Sequence, residues 1–209
     1  MYLKKTLLRF QRMKEMEYFK NLFDEKIIIN GKKYISLNQI EERLKIEIPN
    51  RLYGIECFQI IHGDLCFSNI LVDNNFAFVK LIDPRGNFGD YDIYGDRRYE
   101  LAKILHSVEG NYDSIIKEHF VQQYKKEENR ITYEIKSPVF DFDVMELFIK
   151  EFDLKLEELE EIRFIEALLF LSMIPLHEES QKQQYVMLAT GIELLSKVLD
   201  IEEDTDEKV

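Results

Sequence analysis

The chain has 209 residues, 45% of them hydrophobic and 33% charged, the balance of a soluble globular protein of one domain or a little more. Its 40 acidic against 28 basic residues give a net charge of −12, which repels a phosphate backbone and excludes general nucleic-acid binding. Two cysteines, Cys57 and Cys66, supply neither a disulfide framework nor a zinc site, which fits a reducing cytoplasm.

In chain order, Leu3, Leu7, Phe10, Met13, Met16, Phe19 and Phe23 recur at spacings of three and four and predict an amphipathic helix over 2–23. Arg9 and Arg12 interrupt its apolar run, so it lacks the core of a signal peptide. Asn30-Gly31 between two β-favouring runs predicts a type I′ hairpin. Ser36 with Gln39 predicts a capping box and a helix through about Leu44, with Pro49 at or just past its end. From Phe58 to Asp96, short apolar runs and glycines predict a strand, a loop, a hairpin about Asn74-Asn75 and a long irregular loop. Helices follow at 99–108, 113–126, 143–152, 157–174 and 181–200, and their apolar stripes read as core. The longest apolar stretch, 167–176, falls short of the about 20 residues that span a bilayer, so no membrane partner is expected. Residues 202–209 carry five carboxylates against one lysine and read as a solvated, disordered tail, which leaves 1–201 as the folded unit.

Chemistry-bearing residues concentrate between 62 and 96, where His62, Asp64, Asn69, Asp83, Asp90, Asp92 and Asp96 sit on or beside loops. Phosphoryl transfer needs a carboxylate that orients or deprotonates the attacking hydroxyl, and oxygen ligands that hold Mg²⁺ against nucleotide phosphates. An Asp and an Asn five apart on one tight loop, with an Asp closing the hairpin that follows, supply that set.

HGDLCFSN, residues 62–69, resembles the H-G-D-x-x-x-x-N catalytic loop of the aminoglycoside phosphotransferase and choline kinase superfamily, a small-molecule branch of the protein-kinase-like fold. IDPRG, with Asp83 fourteen residues after Asn69, resembles that family's second metal-binding segment. GDRRYELAKIL, from Gly95, resembles its G-D-P-x-Y-D-L-A helix start. The phrases INGKKYISL, HGDLCFSNIL and ALLFLSMIPLH are similar to a bacterial subgroup found among capsule and surface-polysaccharide biosynthesis proteins.

The resemblance implies a helix-dominated α+β fold, a kinase-like C-terminal lobe in which small β-hairpins carry the catalytic loop and metal segment on a bundle of about five helices. It implies ATP as co-substrate and Mg²⁺ as cofactor, with Asp64 as the catalytic carboxylate and Asn69 and Asp83 as metal ligands. By the same resemblance Asp96 holds the catalytic-loop backbone, His62 is a hydrogen-bonded loop anchor, and the acceptor is a hydroxyl of a sugar, a choline-like molecule or a polysaccharide precursor. Arg85 either touches a phosphate or neutralises neighbouring carboxylates, and Asp90 and Asp92 are either solvated or draw a cationic substrate group.

The pattern also has departures. Position 66 is Cys where relatives often place a polar or basic side chain, and Asp83 is followed by Pro84-Arg85-Gly86. The roughly 60 residues before the loop offer no Gly-rich phosphate loop and no lysine-bearing strand, so an N-terminal lobe is expected to come from a partner chain, self-association or a longer product. The alternative is a non-catalytic module for binding or assembly, which predicts an exposed apolar patch where such a lobe docks. Metal-dependent phosphoester hydrolysis through His62, Asp64 and Asp83 lacks the further His ligands such sites carry.

Overall fold

Asn30 (φ 47°) and Gly31 (φ 90°) take the left-handed conformations that a two-residue type I′ turn demands. Around them β1 (Ile27–Ile29) and β2 (Lys32–Tyr34) pair as the expected hairpin, with Ile27 opposite Tyr34. The computed structural model describes residues 1–54, 58–75 and 77–203. Cys57 and residues 204–209 lie outside the described residues.

The single helix expected over 2–23 is instead α1 (Tyr2–Glu15), a 3-10 turn over Glu17–Phe19 and α2 (Lys20–Asp24). The break falls at Met16, whose ψ of 114° is extended. Tertiary contacts decide it, because Tyr18 and Phe19 turn toward the last long helix, where the Tyr18 hydroxyl donates to Gln184 Oε1 at 2.6 Å and Tyr185 donates to the Tyr18 carbonyl at 3.1 Å. The apolar stripe survives the break, with Phe10, Met13, Phe19 and Phe23 all buried.

α3 (Leu37–Leu52) opens on the expected capping box, with the Ser36 hydroxyl accepting from the Gln39 N–H and Gln39 Oε1 accepting from the Ser36 N–H at 3.0 Å. It runs past Leu44 and contains Pro49. A proline inside a helix costs about 3 kcal/mol. Burying Ile48 and Leu52 on either side of it returns roughly 1.5–3 kcal/mol each, so packing holds the last turn.

The helix expected over 113–126 is a correction. Only α5 (Tyr112–Ile116) forms, Glu118 takes φ 56°, and β7 (Phe120–Lys125) pairs with β8 (Arg130–Ile135) through a turn at Asn129, φ 46°. In the ladder β7 is followed by β8, β1 and β2, with β8 parallel to β1. β9 (Glu202–Glu203) pairs with β2, so the first two residues of the expected disordered tail are strand, held also by Lys32 Nζ at 3.1 Å from Glu202.

α8 (Gln181–Ser196) packs on β7 and β8, α7 (Leu156–Met173) on α8 and α4 (Arg97–Val108) on α7, with α6 (Val144–Glu151) just before α7 in the chain. The fold is helix-dominated α+β, with eight α-helices among the described residues. α7 is the central element: Ile162, Phe164, Ala167, Phe170 and Leu171 are buried, as are Val186, Met187, Leu188 and Ala189 of α8. The large sheet does not carry the 62–69 loop. That stretch is held by two small ribbons, β3 (Gln59–Ile60) with β6 (Tyr94–Gly95), and β4 (Ile70–Val72) with β5 (Val79–Leu81).

The core also buries two titratable side chains without hydrogen-bond partners among the described residues. His106 lies between the rings of Tyr112 and Phe170, at 4.2 and 4.5 Å, and burial, aided by the Lys103 charge, holds its pKa well below the usual imidazole range. Glu166 is pushed well above the carboxylate range, first by burial and then by Glu109, whose own oxygens occupy Arg163 (2.9 Å) and Lys197 (2.6 Å).

A carboxyl whose folded pKa is raised binds its proton in the native state where the unfolded chain has lost it, so stability falls as pH rises above the unfolded value. Glu166→Gln therefore raises the melting temperature at about pH 8, and the gain shrinks toward about pH 5. Thermal melts of both proteins at the two pH values check this, and parallel pH curves would contradict it.

Candidate active site

β3 delivers the chain to Ile61, whose N–H bonds the Ile93 carbonyl at 3.0 Å, and the loop then doubles back over residues 62–66. Gly63 takes φ 78°, and a Cβ there would sit 2.9 Å from the Arg85 Cβ, so only glycine lets the two loops touch. The loops are stitched by backbone. The Arg85 N–H donates to the His62 carbonyl at 2.8 Å, His62 Nε2 lies 2.8 Å from the Ile82 carbonyl, and the Ile82 N–H donates to the Asn69 carbonyl at 3.0 Å. His62 thus ties the loop to the end of β5.

Asp64 projects from this loop with its side chain about one-third exposed, and Lys103 of α4 places Nζ 2.7 Å from Oδ1. Asn69 Nδ2 donates to the Asp64 carbonyl at 2.8 Å and lies 3.4 Å from Oδ2. The Asn69 side-chain oxygen, Oδ1, accepts no hydrogen bond among the described residues. Asp83, just past β5, is exposed and holds φ 57°, a left-handed conformation that a non-glycine residue adopts at some cost and that clusters at functional sites.

These oxygens are hard donors suited to Mg²⁺, which takes one or two protein ligands and fills its shell with water and substrate phosphates. Among the described residues no group of three or more His, Cys, Asp or Glu side chains forms a cage of its own. A metal held by Asn69 and Asp83 alone fits that habit, and a fully protein-ligated metal does not.

Asp96 sits elsewhere than expected. Its carboxylate, 2% exposed, caps α4 through the Arg98 N–H at 2.9 Å, accepts the Arg98 guanidinium at 2.9–3.2 Å and accepts the Tyr2 hydroxyl at 2.7 Å. The hydrogen bond to the 62–69 loop comes instead from Glu100, one turn on, whose carboxylate accepts the Gly63 N–H at 2.9 Å. Burial pushes the Glu100 carboxyl up, and the Gly63 N–H acts against that. Arg85 Nη1 donates to the Tyr99 hydroxyl at 2.6 Å, which places it beside the loop and against α4. Asp90 and Asp92 are exposed and make no side-chain hydrogen bond among the described residues.

Lys103 and Glu100 escaped the sequence reading. Lys103 carried the clearer signal, a lysine set among Leu101, Ala102 and Leu105 on a core-facing stripe, where a buried cation needs an anionic partner. It also answers the departure at position 66. Cys66 is buried, with Sγ 3.2 Å from the Ser68 hydroxyl, and the cation beside Asp64 comes from α4 rather than from the loop.

No family model matches the chain, and no significant match to it is found among curated proteins or solved structures.

Proposed function

We propose that this chain is the catalytic lobe of a Mg²⁺- and ATP-dependent phosphotransferase of the aminoglycoside phosphotransferase and choline kinase type, moving the γ-phosphate to a hydroxyl of a small molecule such as a sugar or polysaccharide precursor. The observation that supports this best is the joined set of Asp64, Asn69 and Lys103 on a loop stitched by His62 and Arg85 to the Asp83 segment.

In this reading Asp64, whose side chain is about one-third exposed, accepts the acceptor hydroxyl proton as the hydroxyl oxygen attacks phosphorus. Lys103, itself buried, fixes the carboxylate through Oδ1 and supplies positive charge beside the reacting group. Asn69 holds Asp64 by its amide nitrogen and keeps its side-chain Oδ1, with Asp83, for Mg²⁺, which neutralises phosphate charge when bound. Glu100 and His62 position the loop.

The β4–β5 ribbon exposes Leu71, Val72, Phe78, Val79 and Leu81 to between 47% and 63% of their areas. A row of that kind favours a docked N-terminal lobe, from a partner chain, a second copy or a longer product, and it equally favours the second reading, a non-catalytic assembly module. Turnover separates the two. The enzyme reading expects Mg²⁺-dependent release or transfer of the ATP γ-phosphate that ends in Asp64→Asn, and the same slow background in both proteins would leave the module.

A further inference from the structure

Helix α1 and the loop over 85–90 enclose an open groove of about 390 Å³ lined by Lys4, Lys5, Arg9 and Arg85, with Asn87 and Asp90 beside them. In a chain of net charge −12, four cations on one groove are a local inversion of sign. Among the described residues none of the four pairs with a carboxylate, and Asp90 is the one acidic side chain on the lining. Arg9 Nε is buried and makes no hydrogen bond among the described residues.

The groove abuts the Asp64 loop. Arg85 donates to the Tyr99 hydroxyl at 2.6 Å, and Lys5 Nζ stands 5.9 Å from the centre of the same ring. One helical turn on, Lys103 holds Asp64 at 2.7 Å. Burial, then the charges of Arg85, Lys103 and Arg9, push the Lys5 pKa down to about 7, against the pull of Asp64. Cations packed this way repel one another, and an anion between them removes the repulsion.

We infer that Lys5, Arg9 and Arg85 form a binding site for a phosphate-bearing ligand, anchored on Tyr99 beside the Asp64 loop. The inference rests on the phosphotransferase reading for the ligand's role, and the phosphate belongs either to the nucleotide donor or to an acceptor that is itself phosphorylated. A cationic acceptor of the choline or aminoglycoside kind does not fit this groove, since it meets the positive charges of Lys4, Arg9 and Arg85 there.

The test is calorimetric titration of the full chain with inorganic pyrophosphate in metal-free buffer, for wild type, Lys5→Gln, Arg9→Gln and a remote control, Lys117→Gln. Saturable binding weakened at least about tenfold in each groove variant, and unchanged in the control, is expected. Pyrophosphate should also raise the melting temperature of wild type and not of a folded groove variant. No saturable binding at millimolar pyrophosphate, or equal affinity in all four proteins, would overturn the site.

Competition assigns the source. Displacement by Mg²⁺-ATP identifies the donor, displacement by glucose 6-phosphate but not glucose identifies a phosphorylated acceptor, and displacement by neither contradicts the inference. Pyrophosphate binding in a chain without ATP turnover would retire the phosphotransferase reading and keep the groove. Turnover without groove binding would do the reverse.

Discussion

On the phosphotransferase reading, Asp64→Asn is expected to lower Mg²⁺-dependent phosphoryl transfer by at least about 100-fold, the loss that follows removal of a positioned general base. The substitution keeps the side-chain shape and leaves the Asn69 bond to the Asp64 main-chain carbonyl, at 2.8 Å, in place. It also strands Lys103, which is 6% exposed and pairs with no other carboxylate among the described residues. Some loss of stability therefore accompanies the loss of turnover.

The double variant Asp64→Asn with Lys103→Met separates the two effects. It removes the unpaired ammonium, so it should melt closer to wild type than Asp64→Asn alone while remaining as inactive. Activity that returned with stability would make Asp64 a folding residue and take it out of the chemistry.

The second large effect is on stability. Asp96→Ala costs roughly 3–5 kcal/mol, because it leaves the Arg98 guanidinium, whose side chain is 14% exposed, with Glu161 at 2.8 Å as its remaining carboxylate. The same change removes the α4 cap, worth about 1 kcal/mol by itself, and the acceptor of the buried Tyr2 hydroxyl. Arg98 also donates to the main-chain oxygens of Arg51 and Leu52, at 3.3 and 3.2 Å, so the loss reaches the end of α3.

At roughly 2–4 °C per kcal/mol for a chain of this size, the melting temperature falls by roughly 6–20 °C. Asp96→Asn, which keeps an oxygen for the cap and for Tyr2, should lie between. A drop under about 1 kcal/mol in Asp96→Ala, read by denaturant titration, would mean that Arg98 and Tyr2 find other partners.

Both effects pass through residues whose legibility differed. Local chemistry was plain in the sequence wherever a feature is settled within a few residues: Asn30-Gly31 gave its hairpin, Ser36 and Gln39 their capping box, and the spacing of Asp64 and Asn69 one tight loop. Features decided by distant partners were not. The break at Met16 answers to Gln184 and Tyr185, and Pro49 stays helical because Ile48 and Leu52 are buried.

β8 is an instructive miss, because Ile131, Tyr133 and Ile135 alternate with Arg130, Thr132 and Glu134, a period of two that was present to be read. β7 gave less, since FVQQYK has few β-branched residues and takes its strand state from pairing with β8. At the site, the loop residues were legible as a motif, while Lys103 and Glu100 act from a helix about 40 residues downstream, and only the fold brings them to Asp64 and Gly63. Asp96 illustrates the opposite error: its position in the motif pointed to the loop, and its bonds go to Arg98 and Tyr2.

The most direct test of the phosphotransferase reading is a calorimetric titration of the chain with ATP, with and without Mg²⁺, for wild type and Asp83→Asn. Asp83 is exposed and outside the core, so the variant should fold as wild type does. The reading expects ATP binding that strengthens with Mg²⁺ and loses that strengthening in Asp83→Asn. Binding that ignores Mg²⁺, or a Mg²⁺ effect that persists without the Asp83 carboxylate, would contradict it.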